Sequence, residues 1–193
     1  MMSDSSTERT DNHSLSGHFL IATPVIDSGF FKRALTYLCQ LATEVAMGIV
    51  VNQPLGLDLA DMLAHLEIES SEGAGTPVLA GGPVATDHGF VLHRGPADWE
   101  GSQPVNSSIC LTGSRDILQA IACGTGPREY LVALGYAGWS PGQLESEMAE
   151  NSWLSVAADE DILFHHDVAE RLAAAGQQLG IDVDLLSAEA GHA

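Results

Sequence analysis

Apolar residues along this chain fall into short runs broken by glycine, proline and acidic turns, and stretches with helical spacing lie between them. Phe19 to Ala22 ahead of Thr23-Pro24 predicts an edge-type strand ended by proline. Asp27 to Gly29 predicts a turn. Ala34 to Leu41 is β-branched and aromatic enough for a strand, with a helix as the open alternative. Ala46 to Val51 reads as its partner across a short connection, ended by Asn52-Gln53-Pro54. Leu59, Met62, Leu63 and Leu66 then recur at i, i+3, i+4 and i+7, predicting a helix with Asp58 as its cap. A loop of small and acidic residues, Glu69 to Thr76, follows.

The stretch from Val78 to His93 organises the chain. Val78 and Leu79 run into Ala80, Gly81, Gly82 and Pro83, and a second apolar run, Phe90 to Leu92, begins after Asp87 and His88. The pattern predicts two strands joined by a hairpin-like glycine-proline connection. Gly81 and Gly82 admit either positive φ or the close approach of another backbone, while Pro83 fixes its own φ and gives up a donor. Asp87, His88 and His93 gather titratable side chains near this turn.

Beyond Arg94 a polar segment runs to Ser107, followed by a strand at Ile109 to Thr112 and a helix over Arg115 to Ala122 that Ser114 caps and Cys123 to Pro127 ends. Tyr130 to Tyr136 predicts a buried strand. Ser140-Pro141-Gly142 opens a helix from Gln143 to about Glu150. Trp153 to Val156 predicts a strand, Asp159 to Asp161 an acidic turn, and Val168 to Leu179 a last helix stopped at Gly180. Many strands are joined by turns too short for crossovers, so the fold class expected is α+β with a mixed sheet rather than a doubly wound one. A chain of 193 residues suits a single compact domain. Residues 1–16 are polar, lack the layout of a signal peptide and read as a disordered lead-in to a domain over 17–193.

Charge narrows the function. With 26 acidic residues against seven basic ones the formal net charge is −19, and Lys32 is the only lysine. Duplex binding depends on neutralising phosphates with Lys and Arg, so direct nucleic-acid binding is not expected. Solubility alone accounts for the acidic surplus; a basic protein partner is the other reading. No apolar run approaches the ~20 residues a membrane span needs. Cys39, Cys110 and Cys123 make an odd count without CxxC spacing, so neither a disulfide framework nor a zinc site is indicated, and a reducing cytoplasm fits.

The motifs of common chemistries are missing. GTGP at 124–127 and GGPV at 81–84 lack the lysine of a phosphate-binding loop, and neither GxGxxG after a strand nor GxSxG occurs. Adjacent His165 and His166 point to different faces of any element and read as exposed turn histidines rather than metal ligands. Asp87 with His88 or His93 suits general-base chemistry, yet no companion nucleophile stands beside them. Cys39 and Cys123, inside apolar segments, read as small core residues, and Trp139 and Trp153 as packing rather than a stacking wall.

Several stretches together resemble the bacterial YqgE/AlgH family: GHFLIATP at 17–24, AMGIVVNQP at 46–54, GGPVATDHGFVLH at 81–93, LTGSRDILQAIACGTGP at 111–127, GYAGWSPGQLESEM at 135–148, ENSWL at 150–154 and the closing AGHA at 190–193. The resemblance implies an α+β domain with a bulged, coiled sheet and flanking helices in the bacterial cytosol. It carries a regulatory label tied to alginate control in one lineage, and no reaction, cofactor or catalytic residue. Gln53 and His88 stand where the family usually has arginine, so an anion-binding role borrowed from relatives loses two permanent cations here.

The expectation is therefore a non-enzymatic cytoplasmic protein acting through contacts with a protein or small ligand, without cofactor, metal or direct DNA contact. The alternative is an enzyme acting on a small molecule. Either way the candidate ligand-binding residues are Asn52, Gly81, Gly82, Pro83, Asp87 and His93. Polar residues gathered at turns argue for a site, because a bare scaffold needs apolar faces more than a particular Asn or His.

Overall fold

The structure, a computed structural model, describes residues 15–42 and 45–186. Most of the expected lead-in and the closing AGHA stretch lie outside the described residues. In chain order the elements are β1 (His18–Ala22), β2 (Leu35–Ala42), β3 (Val45–Val50), β4 (Pro54–Asp58), α1 (Leu59–His65), β5 (Pro77–Ala80), β6 (Val84–Arg94), β7 (Gln103–Pro104), β8 (Ile109–Thr112), α2 (Arg115–Ala122), β9 (Tyr130–Trp139), α3 (Gln143–Ala149), β10 (Trp153–Ala157), α4 (Glu160–His165) and α5 (Arg171–Gln178). The strands form one curled, mixed sheet in the order β10-β1-β2-β3-β9-β6-β8-β7, with β5 also on β9 and β4 on β5. The architecture is α+β, as the pattern of elements predicts. None of the described helices is long and apolar enough to cross a membrane.

Strand β9 is the hub, and its sequence shows why. YLVALGYAGW is nearly continuous in apolar residues, the mark of a strand covered on both faces. Leu131 and Ala133 enter one core cluster with Phe19, Tyr37 and Leu92, while Val132 enters a second with α1 and α2. A third cluster packs Trp139 and Trp153 with Phe31, and both indole N–H groups donate to Glu147 Oε2, at 3.0 and 2.8 Å. These tryptophans are packing, not a ligand wall.

The stretch after β5 departs from the expected hairpin. Strands β5 and β6 do not pair with each other; they take opposite edges of β9, because Val132, Ala133 and Leu134 pair in parallel with β5 and antiparallel with β6. The connection Gly81-Gly82-Pro83 consequently crosses β9. A Cβ on Gly82 would lie 1.8 Å from the Tyr136 carbonyl carbon, and one on Gly81 2.4 Å from Gly135 O. Neither Gly81 nor Gly82 has positive φ, so close backbone approach is what demands glycine at both.

Other differences are local. Leu35–Ala42 is a strand and not a helix, bulged between Leu38 and Gln40 against β3. Strand β4 follows Asn52-Gln53, where the sequence reads only as the end of a strand; its pairing with β5 supplies what its weak alternation does not. In place of the acidic turn stands α4, capped by Asp159 Oδ1 accepting from Asp161 N at 2.9 Å. Helix α5 begins at Arg171 rather than Val168, where the buried guanidinium donates to Val51 O at 2.7 Å and to His166 O at 3.2 Å. Burial lowers its pKa to about 10. Cys39 is in the core as expected, but Cys123 is exposed just past the end of α2.

Candidate functional site

Strand β6 leaves its ladder next to the crossing. Val84 pairs with Tyr136 and Gly89 with Leu134, so Ala85, Thr86, Asp87 and His88 stand opposite Gly135 alone. This wide bulge puts Ala85 at φ 47° and exposes all four residues. It overhangs a cleft of about 500 Å³, within the size range of small-molecule sites. Leu57 of β4, Met62 of α1, Leu66 at its end, Leu118 of α2 and Leu134 of β9 supply the apolar walls. Asp87, His88, His65, Ser114 and Arg115 form the polar rim. Two glycines keep the floor low: a Cβ on Gly89 would meet Met62 Cε at 3.0 Å, and one on Gly113 would meet His88 Nε2 at 2.9 Å.

Three of the rim side chains each turn one donor to the protein itself. His65 Nδ1 lies 2.7 Å from Asp61 O, and Arg115 Nη2 lies 2.6 Å from Leu66 O at the end of α1. Ser114 Oγ donates to Asp116 Oδ1, and Asp116 also accepts from Ile117 N and Glu100 N, each at 2.9 Å. The serine hydroxyl first, and then the backbone donors, hold the Asp116 carboxyl below the usual range. His88 rests its ring edgewise on Phe90 at 4.7 Å between centroids. Within the cleft no hydroxyl or thiol is hydrogen-bonded to a histidine, so no nucleophile and base are paired there. Among the described residues no group of three or more His, Cys, Asp or Glu is placed to hold a metal ion.

Of the six residues singled out from sequence, Asp87 alone lines this cleft. Gly81, Gly82 and Pro83 make the crossing over β9. Asn52 is a clamp: its Oδ1 accepts from Leu35 N and its Nδ2 donates to Arg33 O, both at 2.8 Å. His93 is fully buried, with Nε2 2.8 Å from Thr112 Oγ1, which lies 2.5 Å from Ser102 Oγ. Its Nδ1 has no partner among the described residues, its ring stands edge-on to Trp99, and burial pushes its pKa down. The six therefore do not share one cleft. Gln53 donates to Phe30 O at 2.9 Å, and His88 stands on the rim.

Sequence reasoning missed His65, Ser114 and Arg115 as rim residues. The signal available was the pair of amphipathic helices predicted beside the Asp87 stretch, with His65 next to the end of one and Ser114-Arg115 at the start of the other.

A family model described as AlgH-like matches residues 19–184. A UPF0301 protein of Saccharophagus degradans is 51% identical over 97% of this chain and 98% of its own length. The solution structure of the AlgH protein from Pseudomonas aeruginosa superposes with a TM-score of 0.79 at 41% identity, over the whole of both chains. A crystal structure from Corynebacterium diphtheriae, only 14% identical, reaches 0.68 over 84% of this chain and 85% of its own, a likeness of fold alone. With strand hub, crossing and bulge all inside the matched span, the chain belongs to the AlgH-like family.

Proposed function

We propose that this protein is a non-catalytic, ligand-binding regulator of the bacterial cytoplasm that acts through protein contacts rather than on DNA. The cleft under the β6 bulge carries the reading: it has the volume of a small-molecule site, apolar walls from four separate elements and a polar rim. The absence of a paired nucleophile and base within it favours binding over catalysis. A formal charge of −19 supports contacts with proteins and disfavours a nucleic-acid backbone. The experiment is a metabolite screen read by thermal shift on the wild type and on Leu57→Trp, which fills the cleft from a partly exposed wall. A ligand at about a hundred times its Kd adds roughly 2.7 kcal/mol of stability, enough to read. Hits that stabilise the wild type and not Leu57→Trp are expected; no hits, or hits indifferent to the substitution, refute the proposal.

A further inference from the structure

The rim holds one unpartnered carboxylate. Asp87 makes no hydrogen bond or ion pair among the described residues and stands exposed over the cleft. The His65 contact is with a carbonyl oxygen, which can only accept, so Nδ1 is the donor there and Nε2 is left without a partner among the described residues. Ser114 spends its hydroxyl proton on Asp116 and leaves lone pairs free. Meanwhile one arm of Arg115 is drawn back to Leu66 O. The start of α2, where an anion would otherwise settle, is occupied by the Asp116 carboxylate. A negative field around the whole chain adds to the same preference.

Resting on the reading of this cleft as the ligand site, we infer that it takes a molecule with an apolar body and a positively charged, hydrogen-bond-donating head, such as a primary ammonium, seated against Asp87. The apolar body lies between Leu57, Met62 and Leu118, and the ammonium donates to the Asp87 carboxylate. Arg115 sits at the far side of the preference: it weakens any cation held close to it, which places the head at the bulge rather than at α2.

Three probes of one shape separate the possibilities: phenylbutylamine, phenylbutanol and phenylbutyrate, titrated calorimetrically into the full chain at low salt and about pH 8, above the ordinary histidine range. The amine is expected to bind at least about tenfold tighter than the alcohol, and phenylbutyrate more weakly than either. Asp87→Asn is expected to cut the amine's affinity about tenfold and leave the alcohol unchanged; Asp87 is exposed and unbonded, so the fold is kept. Leu57→Trp should abolish both. Equal binding of amine and alcohol, both lost in Leu57→Trp, overturns the charged head while the cleft reading stands. Amine binding untouched by Leu57→Trp is adhesion to the acidic surface and overturns the inference. An amine affinity unchanged in Asp87→Asn overturns it as well, and binding of none of the probes to the wild type overturns it along with the site.

Discussion

Replacing Gly82 by alanine tests the crossing over β9. The added Cβ would lie 1.8 Å from the Tyr136 carbonyl carbon, 2.0 Å from its oxygen and 2.3 Å from Ala137 N. All three are backbone atoms, so no side chain can swing aside. Reaching an ordinary contact of 3.4 Å requires the two backbones to part by roughly 1.6 Å, a third of the ~4.8 Å between neighbouring strands. That movement strains two bonds of 2.8 Å that hold the crossing, Val50 N to Gly81 O and Gly81 N to Leu134 O. Overpacking costs about 1–3 kcal/mol, and each lost buried hydrogen bond costs on the order of 1 kcal/mol or more. The expected loss is about 3–5 kcal/mol, which for a chain of this size lowers Tm by on the order of 10 °C. Urea denaturation against Gly75→Ala supplies the scale. Gly75 has φ +76° and open space around its Cβ position, so that change costs only about 1 kcal/mol. Gly135→Ala meets Gly82 O at 2.3 Å from the other side, so the double variant should lose less than the two single losses combined. If Gly82→Ala unfolds at the same urea concentration as Gly75→Ala, the reasoning is refuted.

Asn52→Ala removes the clamp on Leu35 N and Arg33 O and should cost about 1–3 kcal/mol in urea, with ligand binding at the cleft unaltered in the folded protein. His165 lies 2.8 Å from Asp161 and 2.6 Å from Glu129, and Asp161 first, then Glu129, raises its pKa. Its contribution is therefore complete below the ordinary histidine value of about 6.5 and is lost as pH rises through the raised one. The wild type's Tm advantage over His165→Gln should shrink on going alkaline, and should shrink with salt; an advantage that grows with pH would falsify the assignment. His93 has the opposite sign: burial favours its neutral ring, so its contribution is present above the ordinary value and declines as pH falls through it. NMR titration of the ring nitrogens should find His93 still neutral at a pH where His165 is charged. Finally, fluorescence anisotropy with duplex DNA at physiological salt should show no binding by this acidic chain; tight, salt-sensitive binding would contradict it.

The parts legible in the sequence were those whose determinants are local. The helix expected over Arg115 to Ala122 has those bounds, because apolar spacing and Gly124 beyond the end act within a few residues; the expected Ser114 cap is not made, since its hydroxyl donates to Asp116, which itself accepts from Ile117 N. Asp58 caps α1 by accepting from Asp61 N, as its position predicts. Where signals were local but ambiguous, the reading failed: Asp159 to Asp161 suits a turn or a helix start equally, and only burial of Ile162 and Leu163 chooses the helix. The hairpin expected around Gly81 failed for a different reason. Turn chemistry records that a backbone must come close; it does not record which one, and the partner at Gly135 and Tyr136 is some fifty residues on.

The candidate site divides along the same line. By itself the sequence determined the α+β class, the amphipathic helices, the acidic charge and the presence of Asp87 among turn residues. Only the tertiary structure decided that Asn52 and His93, equally polar and equally conspicuous, are internal fittings while Asp87 faces a cleft. Hydrogen-bond partners explain the difference: Leu35 N and Arg33 O occupy Asn52, and Thr112 occupies His93, whereas Asp87, on the bulge, has no partner among the described residues. The cleft's walls come from β4, α1, α2 and β9, elements scattered along the chain, and a cavity between them exists only once packing has brought their apolar faces together.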